Sequence, residues 1–246
     1  MNKPVMCHVV AGYPTPEACL QLMLGMQAAG ATAIEVQIPF SDPIADGETI
    51  MEANDVALDN AMTTALSFDL IEKARKKGLS LDVYVMSYIQ KVRHFGLKEF
   101  CRQASSCQVK GLIIPDLPHD SVEFSDLKRT LGKKPPSIIP VLSPGMMPDR
   151  LRKVLALQPS ALYITSQQGI TGNEYAPATQ LKPFVSQIRK LSQAKIMIGF
   201  GISTKNDVKD ALSTGDIAVV GSAIIKIIQA GGIDEAAIYV KSLVSV

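Results

Sequence analysis

The chain predicts a TIM (β/α)8 barrel forming a single domain, on three observations. Eight short apolar runs recur along it, amphipathic helical stretches lie between them, and 246 residues is the size of such a barrel. An open doubly wound sheet shares much of this alternation. No Gly/Ser linker or low-complexity tract divides the chain, so the expected domain covers residues 1–246. The expected strands are 5–11, 33–37, 81–86, 111–114, 137–142, 161–165, 195–199 and 217–220. After the first, Thr15 is placed to cap a helix and Pro16 suits its first position. Cys19, Leu20, Met23 and Met26 then fall at helical spacing, and Gly30 ends the run. Residues 120–131, 149–157, 178–191 and 204–212 read similarly, polar on one face and apolar on the other.

Composition narrows the function classes. An apolar content of 47% with 20% charged residues suits a globular core, and a net charge of +2 without an arginine-rich stripe argues against nucleic acid. No secretory pattern opens the chain and no apolar run approaches the roughly 20 residues of a membrane span, so a cytoplasmic location is expected. Cys7, Cys19, Cys101 and Cys107 are scattered and lie outside metal-ligand spacing of His8, His94 or His119. They read as small buried hydrophobes, and no metal site is expected.

Glu35 is an ionisable side chain inside an apolar, β-branched strand. Burial disfavours a carboxylate's charged form, which suits a general acid or base working near neutral pH. Asp46 follows in a loop punctuated by proline and glycine, and two carboxylates in unlike environments can divide acid and base roles. Both fall where a barrel keeps its active site, at the C-terminal ends of the strands. Three glycine-bearing turns close the last three strands: Gly169-Ile170-Thr171-Gly172, Gly199-Phe200-Gly201-Ile202-Ser203, and Gly221-Ser222 before a helical run over 223–228. Glycine lets backbone amides approach an anion, and a helix N-terminus adds a favourable dipole, so these loops predict a phosphate site held by backbone donors.

These residues resemble the α subunit family of tryptophan synthase over nearly the whole chain. The most specific segment is Pro39-Phe40-Ser41-Asp42-Pro43-Ile44-Ala45-Asp46-Gly47, supported in order by Pro115-Asp116-Leu117-Pro118, the three glycine turns and Ala223-Ile224. The resemblance implies retro-aldol cleavage of indole-3-glycerol phosphate to indole and glyceraldehyde 3-phosphate. It also implies a β-subunit partner in an αββα heterotetramer, with pyridoxal phosphate in that partner and no cofactor in this chain. Glu35 then matches the group that protonates C3 of indole, and Asp46 the carboxylate facing the ring N–H. Tyr163 matches a pocket residue, with Gln37 and Thr171 beside the substrate. Gly172, Phe200, Gly201, Gly221 and Ser222 match the phosphate cradle, and Asp42 a loop position that meets the partner. Total absence of tryptophan suits a protein made when tryptophan is scarce.

The chain also departs from that pattern. Gln37 stands where glycine is usual, Glu48 where proline is, Gln167 where arginine is, His8 where phenylalanine is, and Ile89 where asparagine is. Few residues precede the first strand, so the family's N-terminal helix across the barrel bottom is expected to be missing. Gln37 shares a strand face with Glu35 and is expected to donate a hydrogen bond to it, favouring its charged form. Loss of arginine at Gln167 is expected to weaken closure of the sixth loop. His8 is expected to be a packed core histidine, and His94 and His119 ordinary surface or loop residues. Two functions remain open: a working lyase subunit, or a regulatory subunit with little chemistry of its own that activates the β subunit.

Overall fold

Parallel strands cover all eight expected positions in the computed structural model, which describes residues 3–131, 136–165, 181–199 and 201–245. They are β1 (Val5–Val10), β2 (Ala33–Gln37), β3 (Asp82–Met86), β4 (Val109–Ile113), β5 (Ser137–Ile139), β6 (Val141–Leu142), β7 (Ala161–Thr165), β8 (Lys195–Gly199) and β9 (Ile217–Val220). The sheet order is β5-β4-β3-β2-β1-β9-β8-β7-β6. Its two ends, β5 and β6, are halves of the single strand expected over 137–142, so the ends meet and the barrel closes. The break falls at Pro140, which has no N–H for the ladder; its carbonyl still accepts from the Tyr163 amide at 2.9 Å. Across the same seam the Ser137 and Ser160 hydroxyls lie 3.0 Å apart.

Other boundaries differ from expectation by one or two residues. The first strand stops at Val10, the third begins at Asp82, and the fourth runs Val109–Ile113. The first crossover helix, α1 (Pro16–Ala29), forms as expected: the Thr15 hydroxyl accepts from the Ala18 amide and Gly30 closes it at φ 97°. Between β2 and β4 run α2 (Glu48–Asp59), α3 (Thr64–Lys76), α4 (Ile89–Phe95) and α5 (Leu97–Ser106). The helix expected at 120–131 is α6 (Val122–Leu131), and that expected at 149–157 is α7 (Pro148–Ala156). The described part of the 178–191 helix is α8 (Lys182–Arg189). Thr204 caps α9 (Lys205–Thr214) in a reciprocal box with Asp207, and α10 (Ser222–Val244) ends the fold with a break at Gly232.

Strand parity divides the interior in two. Outward-facing strand residues and the helices make the larger core, in which α1 packs on α10. Met6, Ala33, Tyr84, Met86, Ile113, Ile139, Ala161, Tyr163, Met197 and Val219 form a second cluster inside the barrel. His8, Glu35 and Gln37 continue the inward rows begun by Met6 and Ala33, towards the strands' C-terminal ends. The four cysteines are free and buried, as expected, and burial pushes the Cys7 thiol up to about 12. Among the described residues no helix is long and apolar enough to cross a membrane.

Phe68 lies fully inside the larger core, 5.2 Å from the Phe100 ring in an edge-to-face contact and 6.3 Å from Phe95. Phe68→Ala is expected to lower the unfolding free energy by about 3–5 kcal/mol, read from urea midpoints. A loss under about 1 kcal/mol would contradict this packing.

Candidate active site

The site begins with a cross-strand pair. The β1–β2 register sets His8 beside Glu35, and the imidazole Nδ1 lies 2.9 Å from Glu35 Oε2. The two residues are only 5% and 2% exposed. Burial, the strongest influence on the imidazole, pulls its pKa down. The Glu35 charge and hydrogen bond, then Asp46 and Gln37, outweigh it and leave His8 above the ordinary histidine value. His8 is therefore not simply a packed core histidine, as the sequence suggested; it is the hydrogen-bond partner of Glu35.

Gln37 corrects a second expectation. Its side-chain amide donates to Asp46 Oδ2 at 2.6 Å, with a longer approach of 3.4 Å to Asn54 Oδ1, rather than to Glu35. Two residues along a strand is roughly 6.6 Å, which carries Gln37 past Glu35 to the level where the second loop returns. That loop is set by two turns, Ile44 N–H to Asp42 carbonyl and Asp46 N–H to Pro43 carbonyl, both at 2.9 Å. Tyr88, wholly buried at the end of β3, donates its hydroxyl to Asp46 Oδ2 at 3.0 Å and accepts from the Ala45 amide at 3.1 Å. Asn54 on α2 accepts from the Phe40 amide at 3.0 Å. Burial, reinforced by Glu35, raises the Asp46 carboxyl above its usual range against the opposing pull of His8, Gln37 and Tyr88.

Tyr163 stands midway along β7, its phenol pushed well above the ordinary value by burial and by the charges of Glu35 and Asp46. A Cβ at Gly199 would collide with the Tyr163 hydroxyl and ring, so Gly199 makes room for this tyrosine rather than acting only as a phosphate turn. Gly201 follows with φ 72°. Gly221 backs onto His8 and precedes Ser222, the first residue of α10, whose leading amides suit an anion. Thr171, Gly172, Phe200 and Gln167 lie outside the described residues. Asp42 is exposed and accepts from its neighbour Ser41 at 2.6 Å. His119 packs against Phe124 with ring centres 5.7 Å apart, and its Nδ1 is buried without a partner. Among the described residues no cluster of three or more acidic, histidine or cysteine side chains could hold a metal.

Sequence reasoning missed Tyr88 and Asn54. The available signal was their placement, a hydroxyl just beyond a strand end and a buried amide nearly two turns into the helix after the second loop.

A closed parallel barrel with buried titratable side chains on adjacent strands, facing its interior, defines this as an α/β-barrel protein. The sequence profile described as "Tryptophan synthase alpha chain" matches residues 2–244, and the chain belongs to that family. It is 34% identical over 238 residues to the tryptophan synthase alpha chain of Lachnospira eligens, covering 96% of this chain and 89% of that one. It is 32% identical over 218 residues to the Saccharomyces cerevisiae protein named tryptophan synthase, covering 88% of this chain but only 31% of the yeast protein's length. The tryptophan synthase complex of Pyrococcus furiosus contains a chain that superposes with a TM-score of 0.83 at 27% identity, covering 100% of both.

Tyr88→Phe removes a donor that favours ionised Asp46. The Asp46 carboxyl is therefore expected to titrate higher still, with stability reduced by about 0.5–1.5 kcal/mol. Carboxyl carbon NMR over a pH series checks it; an unchanged or lower Asp46 midpoint would refute the assigned hydrogen bond.

Proposed function

We propose that this chain is the lyase subunit of a tryptophan synthase, cleaving indole-3-glycerol phosphate to indole and glyceraldehyde 3-phosphate. The observation that carries the reading is the burial of Glu35 and Asp46 near one another at the barrel mouth, each hydrogen-bonded to its own polar partners. Glu35 delivers a proton to C3 of the indole ring, which turns the ring into an electron sink. Asp46 faces the ring N–H and stabilises the positive charge that develops there. The hydroxyl on the adjacent side-chain carbon then loses its proton, a carbonyl forms, and the C–C electron pair returns to the ring. Gln37 and Tyr88 both bind Asp46 Oδ2, so Oδ1 is the oxygen offered to the ring N–H. Tyr163 and Thr171 complete the pocket, and Gly172, Phe200, Gly201, Gly221 and Ser222 hold the phosphate as a positioning handle.

The same reading gives the chain a β-subunit partner in an αββα heterotetramer, met through the loop bearing Asp42, and a cytoplasmic location. Pyridoxal phosphate belongs to the partner, which joins indole to serine. A second reading, a mainly regulatory subunit, is favoured by one observation: each carboxylate is already engaged, Glu35 by His8 and Asp46 by Gln37. In that case ligand binding would favour one loop state and activate the β subunit through contacts unique to it.

Indole release from indole-3-glycerol phosphate, measured with the β subunit present, separates the two. Wild type is expected to turn over, and Glu35→Gln or Asp46→Asn to lower kcat by about 10²–10⁴-fold. Absence of indole release alongside intact stimulation of the β reaction would establish the regulatory reading instead. Gln37→Gly removes one of the two donors on Asp46 Oδ2, leaving Tyr88, and removes a group beside His8. It is expected to lower cleavage without altering β stimulation, and a rise in cleavage would show that Gln37 obstructs the site.

A further inference from the structure

We propose that His8 is a positioning residue for Glu35, fixing one carboxylate oxygen through Nδ1 and storing the proton that Glu35 delivers to carbon. The inference rests on the lyase reading. A carboxylate cannot act as an acid while ionised, and at 2% exposure Glu35 has little access to bulk water from which to recharge. The imidazole 2.9 Å away is a built-in source. The proton balance closes within the pair. An imidazolium passes its Nδ1 proton to Glu35 Oε2; that hydroxyl turns away and gives the proton to C3 of the ring, leaving neutral His8 and ionised Glu35. The proton released when the side-chain hydroxyl becomes a carbonyl returns to the pair, which ends as it began.

A second observation comes from the far side of the ring. His8 Nε2 and Gln37 Oε1 are both buried without hydrogen-bond partners, although the other end of each side chain engages a carboxylate. An imidazolium carries a second N–H donor, and the Gln37 carbonyl is an acceptor with no other partner. Gln37 lies close enough to favour the charged ring. Protonating His8 therefore suits both orphaned atoms and links the Glu35 side of the site to the Asp46 side. The groups acting on the ring are Glu35 and Gln37 from β2 and Asp46 from the second loop, while the end of β9 presents the Gly221 backbone. Both charges among them are negative.

Imidazole nitrogen NMR of the intact chain tests the pair without any turnover. His8 is expected to titrate above the ordinary histidine value of about 6.5 and to move down in Glu35→Gln. In the cleavage assay with the β subunit, the alkaline limb of the wild-type kcat profile should coincide with the His8 titration. His8→Asn keeps a donor for Glu35 but no transferable proton, so kcat should fall at least tenfold with KM little changed, and the alkaline limb should leave that position. A His8 midpoint at or below the ordinary value and unmoved by Glu35→Gln overturns the proposal alone, as does a His8→Asn enzyme with wild-type kcat and pH profile. Wild-type protein that releases no indole overturns the lyase reading, and the proton delivery with it.

Discussion

A carboxylate stays buried in an apolar barrel only where something replaces its lost hydration, and at Glu35 the replacement is the imidazole of His8. The contact depends on register. In a parallel pair, moving β1 by one residue would turn His8 to the helix layer and leave Glu35 facing an apolar wall. Protonation of the ring adds Coulombic attraction to the hydrogen bond with Glu35, which a neutral imidazole offers alone. Held this way, the pair keeps the Gln37 amide available to Asp46, which in turn has Tyr88 on the same oxygen. The polar side chains at the mouth thus form a chain of dependencies, in which each buried group makes the next one's burial tolerable.

The barrel supplies what that chain cannot. Closure through the strand split at Pro140 brings Tyr163 in β7 to the same mouth as residues on β1 and β2, and the bare Gly199 beside it gives its ring a place to lie. Below this level the barrel is filled by Met6, Ala33, Met197 and Val219. The polar layer therefore has an apolar floor, which strengthens each electrostatic contact above it and leaves the strand ends as the way in for a ligand.

Most of the fold was legible in the sequence because period and punctuation are local properties. Alternating apolar runs placed the strands, and Thr15, Pro16 and Gly30 bounded α1 as their conformational preferences require. The split strand was not read: proline within a run cannot complete a ladder, but the apolar continuity of 137–142 suggested one unbroken strand. Glu35 and Asp46 stood out as charge in unexpected settings. Their partners did not, since the bond from Gln37 to Asp46 depends on how the second loop returns, and Tyr88 reaches it from a different βα unit. The His8 pair lay between these cases: parity gave its direction, but only the register of two strands twenty-seven positions apart made it the neighbour of Glu35.

The two carboxylates end with different partners, and the difference has a direction. Glu35 faces a titratable imidazole, so its proton state can change by transfer within the pair at no cost in net charge. Asp46 faces an amide and a phenol, neither of which exchanges a proton readily near neutral pH: burial and the nearby carboxylate push the Tyr88 phenol far above its usual range. Such fixed donors stabilise a charge without moving it. On the proposed lyase reading, proton movement falls to the β1–β2 pair and static charge stabilisation to the second loop, and Gln37, donating to Asp46 and lying beside His8, is where the two meet.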